Sequence, residues 1–185
     1  LKEEKMNSSD FKVSGCVFVA ILFFLLNPIN LFAIKVQSDF CKINRKYIDL
    51  SKKTNKELKL QLYKRKRKKE LSNFDYEFVN WEGKIQAIDS VGDEYAYVSI
   101  SVCKDVTIKT WNNEFSDMMM SDKTLIHIDD ELYELLLDLE KGTKVITSGN
   151  FNQSDSDFFN ESSMTDKGSL TEPEYIVHFR KIKKK

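Results

Sequence analysis

Glycine and proline are scarce in this chain, at six and two among 185 residues. That scarcity excludes collagen-like repeats and long Gly/Pro-rich linkers. Cysteine is also sparse. Cys16, Cys41 and Cys103 are too few for a disulfide scaffold, and no CxxC pair occurs. Unpaired thiols are the expectation; a Cys41–Cys103 bridge is the alternative, and it requires an oxidising compartment. His127 and His178 are the two histidines, so a zinc site is not expected. Each reads as a structural or surface residue rather than a general base. GxSxG, Walker and HExxH patterns are absent, which removes the common hydrolase, nucleotide and metalloprotease signatures.

Net charge is missing too, but only as a sum. Lys/Arg and Asp/Glu number 29 each. Residues 35–74 hold fourteen basic against four acidic groups, and residues 75–185 hold twelve against twenty-two. An uncharged apolar run, residues 13–34, precedes both blocks. The chain divides on this basis into three parts. Residues 1–36 read as a signal peptide or single-pass membrane anchor, 37–73 as a basic, partly helical connector, and 74–185 as the folded domain.

The apolar run has 22 residues, and a spanning helix needs about 20. Two readings stand. It is a signal-anchor that stays in the bilayer, or a cleaved signal peptide with Met6 as start, 13–26 as the apolar core and Asn27-Pro28 as the break. Val13-Ser14-Gly15-Cys16 looks like a lipobox but precedes the apolar stretch, so lipidation there is rejected. Lysines and arginines follow the run in greater number than they precede it. That bias favours a cytoplasmic C-terminal side, against export.

In the connector, Lys64, Arg65, Lys66, Arg67, Lys68 and Lys69 are six consecutive cations. Apolar residues around them are loosely helical in spacing, without a clean stripe. Thr54 or Asn55 is placed to cap a helix from Lys56 to about Leu71. The run reads as a solvated spacer, as a contact for anionic lipid head groups, as a nucleic-acid contact, or as an arm docked on the chain's own acidic part. Only Tyr63 is available there for base stacking.

From Phe74 onward the period becomes two. Trp81, Gly83, Ile85 and Ala87 alternate with Glu82, Lys84 and Gln86. Ala96, Val98, Ile100 and Val102 alternate with Tyr95, Tyr97, Ser99 and Ser101. Lys104-Asp105 turns the chain into a third strand that ends at Trp111. Asp129 and Asp130 cap a helix with Leu132, Leu135, Leu136 and Leu139 as its apolar face and Gly142 as its C′ residue. Residues 144–151 and 175–182 are two further strands. The expected fold is therefore mainly β with one helix (α+β): a five-stranded OB-like Greek-key barrel with the helix between its third and fourth strands. Gly83 and Gly149 mark sharp bends.

Four stretches carry a resemblance. They are Trp81-Glu82-Gly83-Lys84-Ile85, Trp111-Asn112-Asn113 with the strand before it, Ser148-Gly149-Asn150-Phe151, and Glu161-Ser162-Ser163 through Gly168-Ser169-Leu170-Thr171-Glu172-Pro173-Glu174. With them the chain resembles an uncharacterised family of bacterial envelope proteins, over about residues 80–182. The resemblance implies a membrane segment followed by an OB-like domain, a bacterial source and an envelope address. It implies no catalytic residues.

The functional expectation is a non-catalytic binding or interaction module of the cell envelope, without cofactor or bound metal. Its partner would be a protein, peptide or small ligand, with the membrane engaged through residues 13–34. A ligand rim is expected at Trp111, Asn112, Asn113, Glu161 and Glu172. The bland reading of Trp111–Asn113 is a strand end with turn hydrogen bonds. Asp155, Asp157 and Glu161 are oxygen donors near one another in sequence, but their spacing fits no calcium loop. Met118, Met119 and Met120, beside Phe115, suit an apolar contact surface. The alternative function is nucleic-acid binding through residues 64–69 on the cytoplasmic side. The acidic balance of 75–185 argues against it.

Overall fold

The computed structural model describes residues 28–119 and 123–185. Residues 13–27 of the apolar run, with Cys16, and Met120 of the methionine triplet lie outside the described residues. Among the described residues no helix is long and apolar enough to cross a membrane.

Two helices come first: α1 (Pro28–Ser51) and α2 (Glu57–Leu71). Three strands follow: β1 (Glu77–Val91), β2 (Tyr95–Cys103) and β3 (Val106–Lys109). Next are α3 (Glu114–Met118), β4 (Ile126–His127) and α4 (Glu131–Leu137). The chain ends with β5 (Lys144–Phe151), a ribbon of β6 (Gln153–Ser154) and β7 (Phe158–Phe159), α5 (Asp166–Thr171) and β8 (Glu174–Lys184). The sheet has six strands in the order β1-β5-β8-β3-β2-β4, and β1 also pairs with β2. Lys84 accordingly faces Ser101 on one side and Lys144 on the other. β3 and β8 run parallel, with Ile108 level with Tyr175. The other pairings in this sheet are antiparallel.

The alternating pattern behaves as its chemistry dictates. Trp81 and Ile85 are buried while Glu82, Lys84 and Gln86 face solvent. Ala96, Val98, Ile100 and Val102 are all buried. Gly149 lies where β5 crosses β8 so closely that a Cβ would collide with the His178 carbonyl oxygen. A residue with a side chain there would overpack the crossing. At Lys104-Asp105 the expected turn is present, with Asp105 at φ 61°.

For residues 74–185 the expectation of five strands and one helix needs correction: the described residues there form three helices and eight strands. α3, α5 and the β6–β7 ribbon span two to six residues each. Elements that short leave no readable period. α4 stops at Leu137, so Leu135 stays half exposed, and Leu132 and Leu136 are the residues that enter the core. Asp130 alone is its N-cap, accepting from the Leu132 amide at 2.8 Å. Gly142, at φ 96°, lies in the turn before β5 and not at the helix end. For α2 the N-cap position is Lys56, which makes no side-chain cap bond.

The helices of the basic connector share the core of the sheet. Phe40 and Ile48 of α1 and Leu71 of α2 belong to one apolar cluster with Phe78, Trp81 and Ile100. Phe40 is fully buried and has Trp81, Tyr175, Phe151, Phe74 and Phe159 as ring neighbours, with centroids 4.9 to 6.3 Å away. Burying such a ring stabilises by about 1.5–3 kcal/mol. One turn on, Asn44 accepts from the Tyr175 hydroxyl at 2.6 Å and donates to the Phe40 carbonyl at 3.0 Å. One turn back, Gln37 donates to the carbonyls of Glu82 and Val102 and accepts from the Glu82 amide. Its single amide group thus serves two neighbouring strands.

The thiol expectation is corrected as well. Cys41 and Cys103 form a disulfide, with Cα atoms 6.0 Å apart. That separation suits the bond. It ties α1 to the β2–β3 hairpin. The bridge closes a sequence separation of 62 residues, which predicts a loss of about 4 kcal/mol when it is opened. Urea unfolding with and without reductant, and of Cys103→Ser, checks this; the reduced protein should unfold at markedly lower urea.

Candidate functional site

A concave feature of ligand size lies at the seam between α1, the end of α2 and the start of β1. It is a half-open cavity of about 860 Å³. Ala33, Val36 and Ile43 line it from α1, and Phe74, Phe78, Val79 and Trp81 from the chain entering β1. Phe78 and Trp81 lie with ring centroids 5.2 Å apart. Trp81 is 1% exposed, and its indole N–H has no hydrogen-bond partner. The register shift between Phe78 and Trp81, with Asn80 at φ 55°, turns both rings inward.

Charges at the mouth cancel. Lys35 and the carboxylates of Asp39, Glu70, Asp75 and Glu77 line it. Asp39 is paired with Lys42, Glu70 with Lys46, and Glu77 with Arg180. Lys35 and Asp75 add one formal charge of each sign. The hydrogen bonds from Lys46 and the Tyr47 hydroxyl hold the Glu70 carboxyl below its ordinary value of 4.5. Burial and the Glu70 bond push the Tyr47 hydroxyl up.

The expected rim residues are placed apart. Trp111 follows β3, with its amide donating to the Thr124 hydroxyl at 2.8 Å. Its indole N–H is buried without a partner. Asn113 is the N-cap of α3 and accepts from the Ser116 amide at 2.8 Å; its own amide donates to exposed Asn112. Glu161 and Glu172 lie at the other end of the parallel β3–β8 pair, near the start of β8, where Thr107 donates to the Pro173 carbonyl. Glu161 is a local brace: it accepts from the Ser163 amide and hydroxyl and from the Glu174 amide. Burial raises its carboxyl above the usual range despite those bonds. Glu172 is exposed after α5. Phe115, Met118 and Met119 are exposed, as an apolar contact surface requires.

The six-cation run splits in two. Arg67 is 1% exposed: its guanidinium donates to the Ser169 carbonyl and to Asp157, and it lies 5.9 Å from the Tyr175 ring centroid. Lys64 is paired with Asp157 at 3.1 Å and with Asp166 at 3.0 Å. Burial lowers the Lys64 ammonium, but these two carboxylates outweigh it and the net shift is upward. Lys68 donates to the Asp155 carbonyl. Arg65, Lys66 and Lys69 face solvent. Asp157 is therefore occupied by cations, and the Asp155, Asp157 and Glu161 carboxylates serve different partners. Tyr175, fully buried beside this cluster, is pushed by burial up to about 12.

No family model, curated protein or solved structure matches the chain. The site is read from its own geometry.

The cavity was not among the sequence expectations. One signal was present: Phe74, Tyr76 and Phe78 place aromatic rings at every second position before Trp81. The α1 wall gave none, because its inner face mixes Gln37, Cys41 and Asn44 with Phe40 and Ile48.

Two outcomes follow from the charge pairs. Arg67→Ala leaves Asp157 buried beside Lys64 alone and the Ser169 carbonyl without the guanidinium donor. Loss of one member of a buried pair costs about 3–5 kcal/mol, so the unfolding midpoint should fall accordingly. The lowered Glu70 carboxyl contributes stability above pH 4.5 that is lost as pH falls through its folded value. Urea unfolding of wild type and Glu70→Gln should differ at pH 6 and converge near pH 3.

Proposed function

We propose that the chain is a non-catalytic binding module of the bacterial cell envelope, built on an OB-like barrel. The observation that carries the binding reading is the cavity at the α1–β1 seam: concave, mainly apolar, and within the size range of small-molecule sites. The OB-like reading is supported by the pairings β1–β2, β2–β3, β3–β8, β8–β5 and β5–β1, which return to their start. α4 falls between the third and fourth strands of that ring, the order expected of a Greek-key barrel with one inserted helix. β4 is a two-residue addition beside β2.

The Cys41–Cys103 bridge supports an address outside the cytoplasm, where disulfides persist. It outweighs the cation bias after the apolar run, because the structure uses many of those cations internally. Lys42, Lys46, Lys52, Lys64 and Arg67 are all ion-paired. The same pairing weakens the nucleic-acid alternative. A phosphate backbone needs free cations along a groove, and Lys64, Arg67 and Lys68 are already engaged. Lipid head groups would meet Arg65, Lys66 and Lys69.

A phosphatase reporter fused after Lys185 tests the address. We expect activity, with Cys41 and Cys103 protected from thiol alkylation in intact cells until reductant is added. An inactive fusion with both thiols free would overturn the envelope reading.

A further inference from the structure

The geometry points to an aliphatic chain as the occupant of the α1–β1 cavity: the site takes the tail of a single-chain lipid. The inference rests on the envelope-binding reading and names its ligand class.

Three observations carry it. The first is the wall chemistry. Val36, Ile43 and Phe74 are half-buried in the wall and offer hydrocarbon surface, and Val79, at 38% exposure, forms part of its accessible face. Apolar area of this kind is recovered from water only by an apolar occupant. The second is electrical. The mouth carries as many cations as carboxylates once each ion pair is counted, so neither a cationic nor an anionic ligand finds a complementary field. An uncharged body fits, with a zwitterionic or neutral head left in solvent. The third is continuity. The 22-residue apolar run ends at Ile34, and Ala33, Lys35 and Val36 belong to the cavity wall. If that run lies in a bilayer, the mouth of the cavity stands at the lipid surface. A tail can then enter without crossing water.

The test is calorimetric titration of the full 185-residue chain, without detergent, with octanol, nonanol, decanol and undecanol. Saturable one-site binding is expected, with affinity rising about fourfold per methylene. Decyltrimethylammonium and decanesulfonate should bind within about threefold of one another. Val79→Asp places a charge on the exposed part of the wall and should weaken decanol at least tenfold. Val36→Phe, which fills the cavity from α1, should do the same, with thermal unfolding checked for each variant. The inference is overturned by absence of saturable binding, by affinity independent of chain length, by affinity that follows head-group charge, or by folded variants that bind as wild type. Such a failure leaves the reporter result standing, and an inactive reporter leaves the titration measurable.

Discussion

The structure depends on how α1 is held against the sheet. Phe40 enters an aromatic cage built by β1, β5, β7 and β8. Three polar or covalent ties surround it on the same helix face: Gln37 to the backbone of two strands, Cys41 to Cys103, and Asn44 to Tyr175. These positions recur at helical spacing, so one rigid rod makes every contact at once. Ordering such a helix against a sheet costs conformational entropy. A covalent bond and a buried ring at the same place offset that cost better than either would at the ends. Towards its N-terminal end α1 is still bonded to β1 through Gln37, and the cavity opens beside half-buried Val36, Ile43 and Phe74 and exposed Val79.

The second attachment is electrostatic. α2 carries the strongest cation run in the chain, yet its inward side is what fixes it. Arg67 lies buried among Asp157, Ser169 and Tyr175, with Lys64 sharing the same aspartate. The sorted charges of the sequence thereby become an internal interface. Basic helices lie on an acidic β-rich partner, and α2, α5 and the β6–β7 ribbon are held as one unit. The outward cations remain available to a surface, which is compatible with a lipid face and leaves little for a nucleic-acid groove.

Much of the β-rich part was legible. Strand alternation around Trp81 and Ala96 directly reports which face is inside, because side chains on a strand alternate strictly. The Leu132/Leu136 pair and the Asp130 cap likewise follow from local helix geometry. α1 was not legible as a core helix. Its inner face includes Gln37 and Asn44, which hydrophobic periodicity scores as outward. The short elements α3, α5, β6 and β7 were missed for a related reason: two to six residues carry no period. The expected rim failed as a cluster because Trp111–Asn113 and Glu161/Glu172 lie at opposite ends of one parallel strand pair. Sequence distance cannot report that separation.

What residues 28–185 determined by themselves was local: alternation, turn chemistry, caps, and the separation of charge into a basic and an acidic block. Each of these is set by neighbours within a few positions along the chain. The tertiary structure alone decided which cations are buried, that Cys41 meets Cys103, and that a cavity opens between α1 and β1. Those facts depend on where a helix lands on a sheet, and that position is set by the summed packing of side chains far apart in the chain. No single segment encodes it.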